Sequence, residues 1–259
     1  NYLQAIALGS TQSMYTLASL YLQGHYGPDN EQGALALLQQ AAALDHVESI
    51  LYLGQLYNSG KGSIQKNFST AHQYFKQAAA LQDESAVIMY GRFLISRRDL
   101  NLGDREIVKW LKKHTDEGSS EAMVIMGNLY ATGTTVSASN NAAVRWYKKA
   151  VKQNPKDSNI VNEVAWTLTV SDIRGLKRPK YAKKIMDKLM KSSDRARNQP
   201  EYLDTWAATH AASGNFDQAQ ALQEEAIGVA MQGKTEVIGI LREHLELFKS
   251  GKTVTEKAP

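Results

Sequence analysis

The sequence predicts an all-α fold, namely a right-handed α/α superhelical solenoid built from antiparallel helix pairs. The first observation is a repeat of about 36 residues, a period typical of stacked helix pairs. The second is that apolar residues recur three and four positions apart within each repeat, as they do on one face of an α-helix. The third is composition, because 43% of the 259 residues are apolar, 22% are charged and only five are proline, which suits a folded helical protein.

The repeat is carried by small residues in similar contexts. Ala18, Gly54, Gly91 and Gly127 are separated by 36, 37 and 36 positions. In three of the four repeats a tyrosine follows three positions later, and a glycine follows three positions after that tyrosine. Several independent positions agree on one period, so the sequence indicates a true structural repeat rather than a chance coincidence.

Each repeat is expected to form two antiparallel helices, A and B, joined by a polar turn. Gly54 stands where helix A lies close to helix B, and Tyr57 fills the wider gap beside it. Gly60 is expected to end helix A, because glycine adopts the left-handed conformation most easily. Ala71 and Ala78 on helix B leave room for the next pair to dock. One pair cannot bury its apolar face alone, so stacking is required.

These motifs resemble a known family. LGQLYNSG at 53–60, a polar loop and AHQYFKQAA at 71–79 resemble the Sel-one-like repeat (SLR), a longer-looped relative of the tetratricopeptide repeat. MGNLYATG at 126–133 followed by AVRWYKKA at 143–150 is an equally good match. The resemblance implies four repeats in residues 1–154, at about 5–42, 43–79, 80–117 and 118–154.

The third repeat departs furthest from the pattern. Arg97 replaces the expected glycine, and Ile107 and His114 replace expected alanines. We therefore expect its helices to be displaced or to bend the superhelix.

The C-terminal part is similar to a different repeat type. NEVAWTLTVSD at 162–172 and LDTWAATHAASGNFDQA at 203–219 resemble a module found in bacterial tetratricopeptide proteins. That resemblance implies a tetratricopeptide-like module over 155–232. Residues 233–259 are expected to form an amphipathic capping helix and a tail, 250–259, that frays.

A search for catalytic chemistry finds little. The sequence lacks the short motifs of nucleotide-binding loops, zinc peptidases and serine hydrolases. It has no cysteine, and its six histidines never stand three or four positions apart, the spacing that would place two metal ligands on one helix face. We therefore predict a non-enzymatic protein with no catalytic residue, cofactor or metal.

Charge is concentrated in residues 145–197, which carry fifteen basic and five acidic side chains. This segment holds a candidate basic patch that suits an acidic partner. An acidic protein segment, a polyanionic polysaccharide and anionic lipid headgroups would fit it equally, but the preferred interpretation of the charge is plain solvation of a helix surface. The patch consists of Arg174, Lys177, Arg178, Lys180, Lys184 and Lys188.

The preferred function is a protein-interaction scaffold that binds a partner segment in the concave groove lined by the A helices. The likeness to tetratricopeptide domains implies that positions one and four after the small residue face this groove, and amides there can both donate to and accept from a peptide backbone. The alternatives are a polyanion-associated envelope scaffold and a noncatalytic regulatory domain of a larger sensor or enzyme. The candidate groove residues are Gln55, Asn58, Arg92, Asn128, Asn162 and Trp166.

The expected setting follows from the same resemblance. Sel-one-like proteins of bacteria often belong to envelope, secretion, motility or polysaccharide-export assemblies, which implies the periplasm or cell envelope. No recognisable nucleic-acid-binding module is present, and no apolar stretch approaches the length of a membrane-spanning helix.

Overall fold

The fold is helical throughout the described part of the chain. A computed structural model describes residues 2–25, 30–233 and 235–257, and in these ranges it contains fifteen α-helices and no β-strand. Two compact units divide the chain, Asn1–His114 and Thr115–Pro259. The helices are α1 (Tyr2–Ala7), α2 (Thr11–Leu22), α3 (Glu31–Ala42), α4 (Val47–Ser59), α5 (Phe68–Ala80), α6 (Glu84–Ser96), α7 (Glu106–Asp116), α8 (Ser120–Thr132), α9 (Asn140–Gln153), α10 (Ser158–Val170), α11 (Pro179–Ser192), α12 (Asp194–Arg197), α13 (Pro200–Ala211), α14 (Phe216–Gly233) and α15 (Ile238–Lys249).

Most helices begin at a residue whose side chain satisfies a free main-chain amide. At α5, for example, the Asn67 side chain accepts a hydrogen bond from the Thr70 amide at 3.0 Å, which is the preferred way to cap a helix N-terminus. The predicted glycine ends are also present, because Gly60 follows α4 at φ 72° and Gly133 follows α8 at φ 74°. Equivalent side-chain caps stand at Ser10, Asp83, Ser119, Ser139 and Asp157.

One main-chain hydrogen bond recurs between helix A and the start of helix B. It joins the pairs α4/α5, α8/α9 and α10/α11 at almost the same place, so the long polar connection is anchored in the same way each time. The third of these pairs lies in the part of the chain that resembles tetratricopeptide repeats. The bonds run from the amide of Asn67 to the carbonyl of Tyr57 (2.7 Å), from Ser139 to Tyr130 (2.8 Å) and from Arg178 to Leu168 (2.7 Å).

The close crossing predicted at Gly54 is present. A β-carbon at that position would stand 3.0 Å from the ring of Phe75 on α5, so the glycine lets the two helices approach. Tyr57 stacks on Tyr74 with ring centroids 5.9 Å apart, and Ala71 is fully buried. The A–B interface of this pair is therefore built as the repeat pattern predicts.

The third repeat is held by a buried polar cluster around Tyr90 and Asp104. The hydroxyl of Tyr90, which is fully buried, donates to the Asp104 carboxylate at 2.8 Å. His72 lies 2.7 Å from the same hydroxyl, and Lys76 lies 3.0 Å from Asp104. Arg97, the residue that replaces the glycine, lies 4.4 Å above the ring of Phe68. These contacts stabilise a repeat in which Arg97 replaces the second glycine, and Ile107 and His114 replace the expected alanines.

The second unit, from Thr115, has one continuous apolar core that runs from α8 to the C-terminal segment. Gly127 lies directly against the ring of Tyr147, the counterpart of the Gly54–Phe75 contact. Small residues again mark the α13/α14 pair, where Ala207, Ala219 and Ala226 are fully buried. The capping helix expected near 237–248 is α15.

The expectation that residues 250–259 fray is wrong for 250–257; the last two residues lie outside the described part. Val254 is only 4% exposed, and the Glu256 amide donates to the Val170 carbonyl at 2.9 Å. The tail is ordered because it gains main-chain hydrogen bonds and buries an apolar side chain against α10. No helix in the described ranges is long and apolar enough to cross a bilayer.

Candidate functional site

The candidate groove residues of the first unit lie on the A helices. Gln55 on α4 and Arg92 on α6 are exposed. Asn58, one turn after Gln55, is half-buried, and its carboxamide oxygen is buried with no hydrogen-bond partner among the described residues. An unsatisfied amide oxygen costs free energy, but because this oxygen is buried, only the exposed part of the Asn58 side chain can meet a bound chain.

Asn128 is a correction to the predicted groove. It is 3% exposed, and its carboxamide oxygen accepts a 2.7 Å hydrogen bond from the hydroxyl of Tyr147. Burial raises the pKa of Tyr147 far above its ordinary value, so this hydroxyl stays protonated and donates. Asn128 therefore serves the core of the α8/α9 pair and is not available to a partner.

The positions four residues after the small residue are also mostly buried rather than groove-facing. Only Asn58 keeps partial exposure. The buried positions are Leu22, Ile95, Ala131 and Thr169.

In the second unit the structure brings Asn162 and Trp166 together at a pocket. They lie on α10, four residues and one turn apart, and line an open cavity of about 440 Å³. Glu201, Asp204 and Thr205 of α13 form the opposite wall. The carboxamide oxygen of Asn162 is buried without a hydrogen-bond partner among the described residues, as at Asn58.

A buried polar triad supports the floor of this pocket. The Asp204 carboxylate lies 2.8 Å from Nδ1 of His244 on α15 and accepts a 2.7 Å hydrogen bond from Gln223 on α14. Burial lowers the pKa of His244, but the hydrogen bond to Asp204 and the charges of Asp204 and Glu256 outweigh it, so the pKa is raised. Trp166 packs against the His244 ring with centroids 5.8 Å apart. The triad therefore fixes the indole in place.

The chain's own C-terminal segment lies in the mouth of the pocket. The indole Nε1–H of Trp166 donates to the Glu256 carboxylate at 2.9 Å. Glu256 and Lys257 are part of the pocket lining. The sequence search missed Glu201, Asp204 and Glu256, because no local pattern joins a C-terminal tail to α10.

The basic patch divides into two groups. Arg178 is committed to its own loop, since its guanidinium donates to the carbonyls of Gly175 (2.8 Å) and Lys177 (2.7 Å). Arg174 is exposed beside it, and Lys177 lies 3.4 Å from Thr255 of the tail. The lysines of α11 form the second group and share one exposed face, as predicted. They are Lys180, Lys184, Lys188 and Lys191.

An ion pair limits the positive charge of that face. Lys183 bonds Asp187 at 2.7 Å, and Asp187 also accepts a 2.8 Å hydrogen bond from the Trp206 indole. Burial raises the pKa of Asp187, but these two hydrogen bonds outweigh it and hold the pKa below its ordinary value. Asp187 is therefore ionised at neutral pH and neutralises one lysine of the helix.

Metal ligands do not converge in the described residues: no three His, Asp or Glu side chains there lie close enough to share a metal ion. What the site offers is a set of exposed or half-buried amides and an anchored indole. Such groups can form hydrogen bonds with a peptide main chain.

The fold defines a helical-repeat protein, built from consecutive antiparallel helix pairs. Three of its repeats are Sel1 repeats: the family model for the Sel1 repeat matches residues 11–46, 47–83 and 120–155. The predicted resemblance is confirmed for these three repeats. The stretch between the second and third matches holds most of the predicted third repeat, whose sequence departs furthest from the pattern.

Two curated proteins show the range of relatives. The chitin synthase regulator SKT5 of Saccharomyces cerevisiae is 29% identical over 147 residues, which cover 55% of this chain and 21% of that protein. The TPR repeat-containing protein YpiA of Bacillus subtilis is 23% identical over 257 residues, which cover 93% of this chain and 54% of that protein. The chain thus spans between about a fifth and about half of the length of these relatives.

Solved structures confirm the fold class, an all-α solenoid of antiparallel helix pairs. The crystal structure of c5321, a protective antigen of uropathogenic Escherichia coli with an SLR fold, matches at a TM-score of 0.56 and 18% identity. It covers 93% of this chain and 50% of that one. A Sel1 repeat protein from Oxalobacter formigenes matches at a TM-score of 0.54 and 18% identity, covering 85% and 88%.

Proposed function

We propose that this protein is a non-enzymatic scaffold in which the A helices of each unit bind extended segments of a partner protein. Sel1 and tetratricopeptide-like repeat proteins are generally protein-interaction scaffolds, typically without catalytic activity. The observation that carries the proposal is the Trp166 pocket, where an extended peptide segment, the chain's own tail, already lies against helix A of a repeat. Gln55 and Asn58 offer comparable polar groups in the first unit.

The setting of the scaffold belongs to the same proposal. The structural match to an antigen of uropathogenic Escherichia coli and the bacterial tetratricopeptide relative are compatible with a bacterial envelope assembly. The proposed location is the periplasm or cell envelope. The proposed role there is in secretion, motility or polysaccharide export.

A polyanion-binding scaffold is the second candidate, favoured by one observation. The exposed lysines of α11 line an open depression of about 430 Å³ together with Lys183 and Asp187. One relative is by its name a regulator of a chitin synthase, which suits either a scaffold near polysaccharide synthesis or a noncatalytic regulatory domain. Binding through this face should weaken steeply with ionic strength, because exposed charges are screened within about 8 Å at physiological salt.

The test begins with affinity purification and cross-linking mass spectrometry to identify a partner and its contact sites. Titration calorimetry of the purified partner then compares the wild-type protein with two variants. The groove variant carries Gln55→Ala, Asn58→Ala and Trp166→Phe. The basic-face variant carries Lys180→Glu, Lys184→Glu and Lys188→Glu.

We expect the groove variant to bind at least about tenfold more weakly, since each lost hydrogen bond contributes about 1 kcal/mol. Gln73→Ala, on the exposed side of α5, is the matched control and should bind like the wild type. If the basic-face variant loses binding at low salt while the groove variant keeps it, the polyanion function replaces the peptide groove. If a partner is bound equally by all variants, the proposed groove is wrong.

A further inference from the structure

The C-terminal tail is turned back onto α10 by a specific helix end. Gly251 adopts φ 67°, and the Lys252 amide returns to the Leu247 carbonyl at 2.9 Å. This is the hydrogen-bond arrangement of a glycine-terminated helix, in which the chain leaves in a new direction. The exit from α15 thus aims residues 252–257 at the end of α10.

The end of α10 presents main-chain groups that fit an extended chain. Ser171 leaves the helical conformation with ψ 136°, so the backbone straightens after Val170. The Glu256 amide donates to the Val170 carbonyl at 2.9 Å, and the Asp172 amide donates to the Glu256 carbonyl at 2.8 Å. The two extended segments form an isolated parallel bridge between Ser171 and Glu256. Main-chain pairing of this kind accepts any extended peptide.

The side chains of the tail show what would select among peptides. Val254 is buried against the core, while Thr253, its neighbour, is exposed. Two positions further on, the Glu256 carboxylate accepts a hydrogen bond from the Trp166 indole. In an extended chain residues two apart share a face, so one face of the ligand carries a β-branched apolar residue and a glutamate.

The next position of the ligand lies in a pocket with an acidic lining. Lys257 lines this pocket together with Glu163, Glu201 and Asp204. Acidic residues in the lining favour a cation in the pocket. The open cavity of about 440 Å³ beyond the tail leaves room for a longer basic side chain or for further residues.

We infer that the Trp166 pocket is a recognition site for a partner segment of the pattern β-branched apolar, any residue, glutamate, basic residue, and that the tail Val254–Lys257 occupies it in the absence of the partner. The inference rests on the proposed scaffold function and names the partner chemistry of one site. The partner exchanges with the tail, because both use the carbonyl of Val170, the amide of Asp172 and the indole of Trp166.

The first test uses the 259-residue chain and a fluorescein-labelled, end-blocked peptide KTVTEK, the sequence of residues 252–257. A tail-weakened variant, Val254→Ser with Glu256→Ala, frees the site without shortening the chain. By fluorescence anisotropy this variant should bind the peptide at least about tenfold more tightly than the wild type, where the tail competes. Adding Trp166→Phe to the variant, or replacing the peptide by KTVTAK, should cost about tenfold. Thr253→Ala is the matched control and should behave like the wild type.

The second test needs no variant. The Glu256 amide of the wild-type protein is hydrogen-bonded only while the tail is docked, so its hydrogen exchange reports tail release. Millimolar unlabelled KTVTEK should accelerate that exchange several-fold, and KTVTAK should not. If a folded tail-weakened variant fails to bind KTVTEK, the inference is overturned; if that variant does not fold, unchanged wild-type exchange in saturating peptide overturns it.

The two proposals fail separately. A partner whose binding is weakened by the groove variant but unaffected by excess KTVTEK leaves the scaffold function intact and rejects only the tail pattern. A partner bound equally by the wild-type and groove variants rejects the groove as a whole, even where KTVTEK itself binds.

Discussion

Replacing Gly127 with alanine tests the idea that the repeat glycines exist for helix–helix contact. In a helix interior alanine is favoured over glycine by about 1 kcal/mol, so without a packing constraint Gly127→Ala should stabilise the protein. The new β-carbon would instead overlap the ring atoms of Tyr147. That ring is fully buried, and its hydroxyl is bound to Asn128, so it has little room to move. Overpacking of this kind costs about 1–3 kcal/mol, and disturbing the Tyr147–Asn128 hydrogen bond adds about 1 kcal/mol.

The expected net effect is a loss of about 1–3 kcal/mol in the free energy of unfolding. The same substitution at two other glycines gives reference values for this change in the free energy of unfolding. Gly228→Ala, on the exposed face of α14 with nothing within 4 Å of its β-carbon, should gain up to about 1 kcal/mol. Gly54→Ala, where the Phe75 ring is 3.0 Å away, should fall between them. Urea titration followed by circular dichroism gives the three values; a Gly127→Ala protein as stable as Gly228→Ala would refute the contact argument.

The remaining predictions concern burial, protonation and charge. Asn128→Ala leaves the Tyr147 hydroxyl buried without its partner and should lower the free energy of unfolding by about 1–3 kcal/mol. An unchanged urea midpoint would mean that Asn128 does not support the core. The pKa of His244 is raised in the folded protein, so its contribution to the free energy of unfolding is fully present below the unfolded pKa of about 6.5 and is lost as pH rises through the folded pKa. The difference in stability between wild type and His244→Gln should therefore be larger at about pH 5.5 than at about pH 8.5. A difference that grows with pH would contradict the pairing of His244 with Asp204. Lys180→Glu, Lys184→Glu and Lys188→Glu together should leave the melting temperature within about 2 °C of the wild type, since these side chains are exposed; a larger fall would show that they stabilise the fold.

The helix pairs could be predicted from sequence because their determinants are local. Gly54, Gly127 and the buried alanines each repeat at one period, and the period alone places them at the A–B contact. The glycine ends at Gly60 and Gly133 follow from backbone sterics. What could not be predicted is the polar cluster around Tyr90 and Asp104, since its members come from three separate segments.

The groove was predictable only in part. Asn128 holds the position of Gln55, yet one is buried and the other exposed. The missed signal is on helix B: Tyr147 occupies the place of Phe75 beside the glycine, and a buried hydroxyl requires an acceptor. Asn162 and Trp166 do line a common pocket, as predicted for groove residues. The tail residue that bonds to Trp166 there, Glu256, is 90 positions away in sequence, so no local pattern could predict that contact.

The docked tail also changes how the second unit is expected to assemble. In a solenoid each helix pair touches mainly its sequence neighbours, so folding can start anywhere and spread along the stack. The bond between Trp166 and Glu256 skips α11 to α14, and it cannot form until all of those helices have stacked and brought α15 beside α10. Formation of this contact therefore marks the completion of the unit, and local unfolding anywhere between α10 and α15 should open it. In a variant whose other three tryptophans are replaced, Trp166 fluorescence should therefore report the integrity of α10 to α15.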